Sequence, residues 1–384
     1  MNAPLKQQDR AAVASQNPET LIQGLAKNLA ARAEEYDKTD RFAAENFAEL
    51  KAARLLSIGV PAELGGGGAS YLDLAELLRE LAKHCSGTAL ALAMHTHPLA
   101  MTVWRWRNDK APVEPLLKRV AAEELMFLST GGNDWLNGSG VAEPVEGGYR
   151  IAAHKRFVSG CQAGDLLMTM ARCGDEVLHA PISMRSEGIT IKETWRTLGM
   201  RASGSHDVIL ENVFVPELAI VVRRQAGVWH PFFHLVSLVA FPLIYAVYRG
   251  VAEALRDDVV SLVRSRSRGV QNDAQLLIGQ MEAALAGVTA THDRMLALAD
   301  REKPGPAMTS TIMTLKQTMT GHLLDVAARA MDAAGGAAYY RTHRIERLFR
   351  DLQAARYHPL TALPQQQLAG RIALGLDADG KAAA

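Results

Sequence analysis

The stretch from Pro231 to Tyr248, PFFHLVSLVAFPLIYAVY, limits this chain more than any other part of it. A membrane-spanning helix needs about 20 clean apolar residues. This run is interrupted by His234, Ser237 and Pro242, so it reads as a buried helix, and no membrane partner is expected. Long helical segments follow at roughly 232–265, 271–300 and 308–334, separated by Gly269, Pro304-Gly305-Pro306 and Gly335-Gly336. A fourth helix is expected from Arg341 to Tyr357. That count and those lengths fit a four-helix bundle.

Upstream, Leu25 to Ala53 is rich in Ala, Leu, Glu and Lys and reads as helix. Gly59 to Gly68 is a breaker, because four consecutive glycines cannot sit inside a regular element. From Tyr71 to Met94 the apolar residues Leu74, Leu77, Leu78 and Leu81 recur at helical spacing. The middle then changes period. Gly147-Gly148 is a turn signal before Tyr149. Short strands are expected at 157–158, 166–170, 188–191 and 208–215, the pattern of a small β barrel or sandwich. The expected domains are 1–122 (helical), 123–230 (β) and 231–384 (helical bundle), in keeping with roughly 100–200 residues per domain.

Composition excludes several classes. With a net charge of +1 no dedicated nucleic-acid surface is expected, although Arg264, Arg266 and Arg268 form a local basic run. Cys85, Cys161 and Cys173 lack C-x-x-C spacing. They read as reduced thiols of a cytoplasmic protein, and no metal site is expected. The N-terminus has no apolar h-region.

Four segments together resemble the acyl-CoA dehydrogenase superfamily. They are Pro61-Ala-Glu-Leu-Gly-Gly66; Lys155-Arg-Phe-Val-Ser-Gly160 continuing to Asp165; Gly199-Met-Arg-Ala-Ser203 with Glu211 to Pro216; and Gly335-Gly336 with Glu346 to Asp351. The resemblance covers nearly the whole chain. It implies an α+β architecture of N-terminal helical domain, central β-barrel domain and C-terminal four-helix bundle, commonly in a homotetramer that binds flavin. It places Ser129 and Thr130, and Phe157 and Ser159, against the flavin ring, where hydroxyl and N–H donors stabilise charge on the reduced form. The first of these segments departs from the family's Thr-Glu-Pro-Gly run and reads Ser129-Thr-Gly-Gly-Asn-Asp134. Arg264 or Arg266, with Gly335-Gly336 of a partner subunit, match the places that hold a pyrophosphate, which favours FAD over FMN. The ordinary readings stand beside these: strand-end hydrogen bonds for the hydroxyls, and a solvated helix end for the arginines.

Dehydrogenases of this superfamily need a carboxylate to remove a proton. Counted forward from Asp351, the family's usual position falls on Pro359, beside His358, and no Asp or Glu lies between Asp351 and Asp377. The alternative place on the first bundle helix also lacks one. His234 comes closest there, and Glu253 is several turns on. One branch of the superfamily has lost that glutamate. Its members are two-component flavin monooxygenases that take reduced flavin from a separate reductase and form a flavin hydroperoxide. The resemblance to them rests on His358, on His95 or His97, and on Ser159, and it implies a small aromatic or heteroaromatic substrate. Histidine titrates near neutrality and can donate the proton such chemistry needs. Against this, His358 can cap a helix, and His95 or His97 can be core. Trp104, Trp106, Trp135, Trp195 and Trp229 can shape an aromatic pocket or simply pack. The competing functions are an acyl-CoA dehydrogenase with a displaced base and a non-catalytic flavin-binding scaffold.

Overall fold

The computed structural model describes residues 18–132, 135–266 and 272–381. Arg268, Gly269, Asn133 and Asp134 lie outside the described residues.

The expected helix over 25–53 is two helices, α1 (Pro18–Thr39) and α2 (Ala44–Ala52). The break falls at Asp40, whose φ of 54° cannot continue a right-handed helix. The glycine breaker closes tightly on the chain before it. A Cβ at Gly66 would stand 2.2 Å from the Val60 carbonyl oxygen, so only glycine fits. Ser70 and Asp73 form a capping box that starts α3 (Tyr71–His84). Extended backbone at Cys85 separates α3 from α4 (Ser86–Asn108), and α5 (Glu114–Glu123) completes the helical region.

The strands are β1 (Phe127–Ser129), β2 (Val141–Val145), β3 (Gly148–Val158), β4 (Leu166–Cys173), β5 (Glu176–Ser183), β6 (Ile189–Lys192), β7 (His206–Pro216) and β8 (Val222–Gln225). They form one mixed sheet in the order β6-β7-β3-β2-β4-β5-β8, with β1 parallel to β4. The expected barrel is not closed. Its would-be closing edges, β6 and β8, are four residues each, mostly exposed, and carry Lys192 and Arg223. Short charged edges resist further pairing. The strand expected at 157–158 is the end of the longer β3. Its register against β7 shifts between Lys155 and Val158, where Phe157 has a φ of 59°. This bulge re-aims Arg156, Phe157 and Ser159.

The bundle comprises α6 (Phe232–Arg264), α7 (Asn272–Arg301), α8 (Pro306–Ala334) and the short α9 (Ile345–Leu352), which continues as a 3-10 turn over Gln353–Tyr357. A further helix, α10 (Ala362–Ala373), packs on α8. By length and composition α6 could cross a membrane, yet 89% of its most apolar window is buried inside the protein. It is the core helix of the bundle, and Pro242 sits within it.

Asp351 joins the three regions. Its buried carboxylate accepts from the Ser86 hydroxyl at the start of α4 and from the Met200 N–H of the β region (2.5 Å). Arg350 pairs with Asp37 of α1 (2.6 Å) and donates to the Leu198 carbonyl (2.7 Å). The pair is an interdomain clamp that fixes where the following segment, 353–361, must run.

Candidate active site

That segment closes one side of a cavity of about 580 Å³. The β side contributes Ser129, Thr130, Phe157, Ser159, Trp195 and Ser205. The helical side contributes Leu90, Met94, His97, Phe241, Ile244, Tyr248 and His358, and Trp135 reaches in from the connection between β1 and β2. Among the described lining residues there is no carboxylate.

On the β side, hydroxyls are linked in a row. Ser159 Oγ lies 2.8 Å from Ser205 Oγ, which lies 2.7 Å from Ser203 Oγ. Thr130 donates to the Met168 carbonyl (3.1 Å). Phe157 is 57% exposed on the cavity and meets Trp195 edge to face. The hydroxyl lone pairs and the exposed Phe157 face suit a flat, polar-edged ring.

The two histidines of α4 part company. The Phe127 N–H donates to His95 Nδ1 (2.8 Å), and His95 Nε2 donates to the Leu56 carbonyl (2.7 Å). Both nitrogens are used and the ring does not reach the cavity. Burial holds its pKa down at about 4. His97 lines the cavity, and burial pushes its pKa to about 3. Its buried Nδ1 has no hydrogen-bond partner. Such a nitrogen is costly unless a ligand or water meets it, and it marks where the cavity wants an occupant.

His358 meets Tyr248 of α6 through Nε2. Burial first, then the charges of Lys316 and His97, lower its pKa to about 3, while burial raises Tyr248 well above the usual phenol range. Both are neutral at pH 7, so a proton is shared along this contact rather than lost. Behind His358 stands Lys316 of α8, 2% exposed. Its ammonium donates to the carbonyls of His358 (3.0 Å) and Leu360 (2.7 Å) and to Gln365 Oε1 (3.3 Å).

Other candidates lie elsewhere. Arg266 donates to the carbonyls of Ala333 (3.0 Å) and Ala334 (2.8 Å), capping α8 just before Gly335-Gly336. Arg264 is exposed at the end of α6. None of these four residues lines the cavity of the single chain. His234 is occupied by Thr309 (2.8 Å). Glu253 is consumed by Arg249 (3.0 Å), Lys83 (3.3 Å) and Arg79. Of the tryptophans, Trp135 and Trp195 line the cavity, and Trp135 stacks on Phe233 at 5.1 Å. Among the described residues no group of His, Cys, Asp and Glu is arranged to hold a metal.

Sequence reasoning missed Tyr248, Ser205 and Lys316. Tyr248 lay inside the apolar run as its last residue, and Ser205 stood two residues beyond the quoted Gly199–Ser203 segment. Lys316 had no signal beyond being the one cation in a threonine- and methionine-rich stretch.

Comparison with known proteins places the fold. The family description "Acyl-CoA dehydrogenase, N-terminal domain" matches residues 18–124, and "Acyl-CoA dehydrogenase, C-terminal domain" matches 243–362. An amino sugar nitrososynthase from Streptomyces rubradiris is 29% identical, covering 94% of this chain and 90% of the relative. A dibenzothiophene monooxygenase from Rhodococcus erythropolis is 24% identical, covering 90% of each. The structure of KijD3 in complex with FMN and a dTDP-linked amino keto sugar superposes with a TM-score of 0.88 at 24% identity, covering 99% of this chain and 97% of that one.

Proposed function

This chain belongs to the acyl-CoA dehydrogenase superfamily, and we propose that it acts there as a flavin-dependent monooxygenase on a small aromatic or heteroaromatic substrate. The carrying observation is the cavity itself: two neutral histidines, a tyrosine and a row of serine hydroxyls, with no carboxylate among its described lining residues. Proton abstraction from an acyl thioester has no carboxylate base among those residues. The names of the relatives, a nitrososynthase and a dibenzothiophene monooxygenase, support the same reading.

Reduced flavin, when bound, supplies the electrons with which O2 transfers one oxygen atom to substrate. Ser129, Thr130, Phe157 and Ser159 are the residues that would hold the ring on the β side. His358 holds a proton at the cavity wall, shared with Tyr248. His97 offers its unpartnered nitrogen to substrate or to a water. Leu90, Met94, Phe241 and Ile244 exclude bulk water, which strengthens each polar interaction inside. The aromatic and aliphatic wall of Trp135, Phe241 and Ile244 suits a flat ring.

For the flavin's tail we favour FMN. FMN is the form held by the KijD3 structure, and within one chain Arg266 is already committed to α8. A separate reductase as electron donor, a cytoplasmic setting and a homotetramer with Gly335-Gly336 at its interface complete the proposal.

The test is to mix the protein anaerobically with chemically reduced FMN, add O2 and follow oxygen uptake and product by mass spectrometry. A panel of indoles, fused thiophenes and amino sugars serves as substrate. Oxygenated indole or thiophene product is expected, with no bleaching of oxidised flavin by acyl-CoA thioesters under argon. Bleaching by a thioester, without oxygenated product, overturns the reading.

A further inference from the structure

Lys316 is a buried cation that the reading above does not use. It is 2% exposed, and no carboxylate pairs with it among the described residues. Its hydrogen bonds go to two backbone carbonyls and an amide oxygen, all neutral. Its Nζ also lies 5.3 Å from the Phe241 ring centroid and 5.8 Å from that of Tyr245, a cation–π cage. A buried charge without a counter-ion works against stability, and a well-packed apolar residue is often better tolerated. The placement has a consequence for the site. The two carbonyls belong to His358 and Leu360, so the ammonium ties down both ends of the turn that presents the His358 ring. The caging residue Phe241 itself lines the cavity.

We propose that Lys316 is the positioning residue of this site: from behind the 358–360 turn it fixes the His358 ring against Tyr248 and places a positive charge beside the cavity. The catalytic use of that ring rests on the monooxygenase reading, but the clamp does not. The groups facing Lys316 and His358 come from α6 (Tyr245, Tyr248), α4 (His97), α10 (Gln365) and the turn itself. Burial raises both tyrosines and lowers both histidines, leaving them outside the pH 5–9 window. Burial lowers Lys316 to about 7, so within this set only the clamp titrates inside that window. The protonated clamp is present below about pH 7 and is lost as pH rises through it.

The experiment compares wild type, Lys316→Met and Lys316→Arg. In the apoprotein at pH 6.5, 15N NMR of the His358 ring is expected to report one fixed tautomer in wild type and an averaged pair in Lys316→Met. With reduced FMN and the substrate found above, Lys316→Met is expected to lose about 10-fold in product formed per O2 consumed, released instead as hydrogen peroxide, with substrate KM within about two-fold. Wild-type coupling should fall between pH 6.5 and 8.5, while Lys316→Arg, charged throughout, holds its coupling. An unchanged ring spectrum and unchanged coupling in Lys316→Met overturn the proposal. If that variant does not fold, an averaged pair of His358 tautomers in wild type at pH 6.5 overturns it equally. A shifted ring spectrum in a protein that binds no flavin sinks the monooxygenase reading and leaves the clamp standing.

Discussion

At one end of the segment 350–360 a buried carboxylate is met by donors from two other regions of the fold. At the other end the chain is met by a buried ammonium that has no acid to pair with among the described residues. Asp351 accepts from Ser86 and from the Met200 N–H, and so ties the N-terminal helices, the sheet region and the bundle together. Lys316 donates within the C-terminal region, to the turn that carries His358 and to Gln365 of α10. Both charges are unfavourable to bury. The carboxylate is offset by donors that would themselves be orphaned without it, whereas the ammonium is held by oxygens that could find other partners. The first kind of burial builds the fold. The second works against it and is explained by what it does to the site.

The sharpest way to break this comparison is Asp351→Ala. It strands a buried hydroxyl and a buried N–H and should cost about 3 kcal/mol or more, read as a lower denaturant midpoint at an unchanged slope. His358→Ala should leave the fold largely intact and cut product formation at least ~10²-fold; unchanged turnover would demote the residue to a structural turn. Tyr248→Phe removes the proton shared with His358 and should cost roughly 10-fold in turnover at constant substrate KM.

Lys316→Met tests the opposite sign. Because the folded protein holds Lys316 near 7 and the unfolded chain near its ordinary value, the unfolded state binds more protons between those values. Wild-type stability from this group therefore rises with pH across that window. Lys316→Met should be more stable than wild type by about 1–4 kcal/mol at or below pH 7. That advantage should shrink steadily toward pH 10, as followed by thermal melts at several pH values. A variant destabilised at pH 6 would put Lys316 with Asp351, among the groups that build the fold.

The α4 pair repeats the contrast at smaller scale. His95 and His97 are two residues apart, too close in sequence for spacing to separate them. Successive side chains on a helix point in different directions: His95 turns toward the backbone of Leu56 and Phe127 and is spent there, and His97 opens on the cavity. Replacing His95 by Ala should lower stability, while His97→Ala should lower turnover first.

Much of the architecture could be read directly. The switch from helical period to short strands and back marked helical, sheet and helical regions. Proline and glycine punctuation located the bundle helices, and counting forward from Asp351 showed the missing base. The breaks at Asp40 and Cys85 escaped, because helix propensity carries no record of where a chain must turn to pack. The barrel reading failed at its edges, because closure depends on whether two distant short strands meet.

What the sequence alone determined is therefore the set of elements, the superfamily, and the absence of a glutamate at the family's usual position, where Pro359 stands beside His358. Those follow from local pattern and residue identity along the chain. The tertiary structure decided which polar groups are satisfied. That His97 has a nitrogen to spare and His95 does not, that Tyr248 reaches His358, and that Lys316 has no counter-ion among the described residues all depend on contacts between residues far apart in the chain. Burial turns each of those contacts, made or missing, into chemistry by removing the water that would otherwise level them.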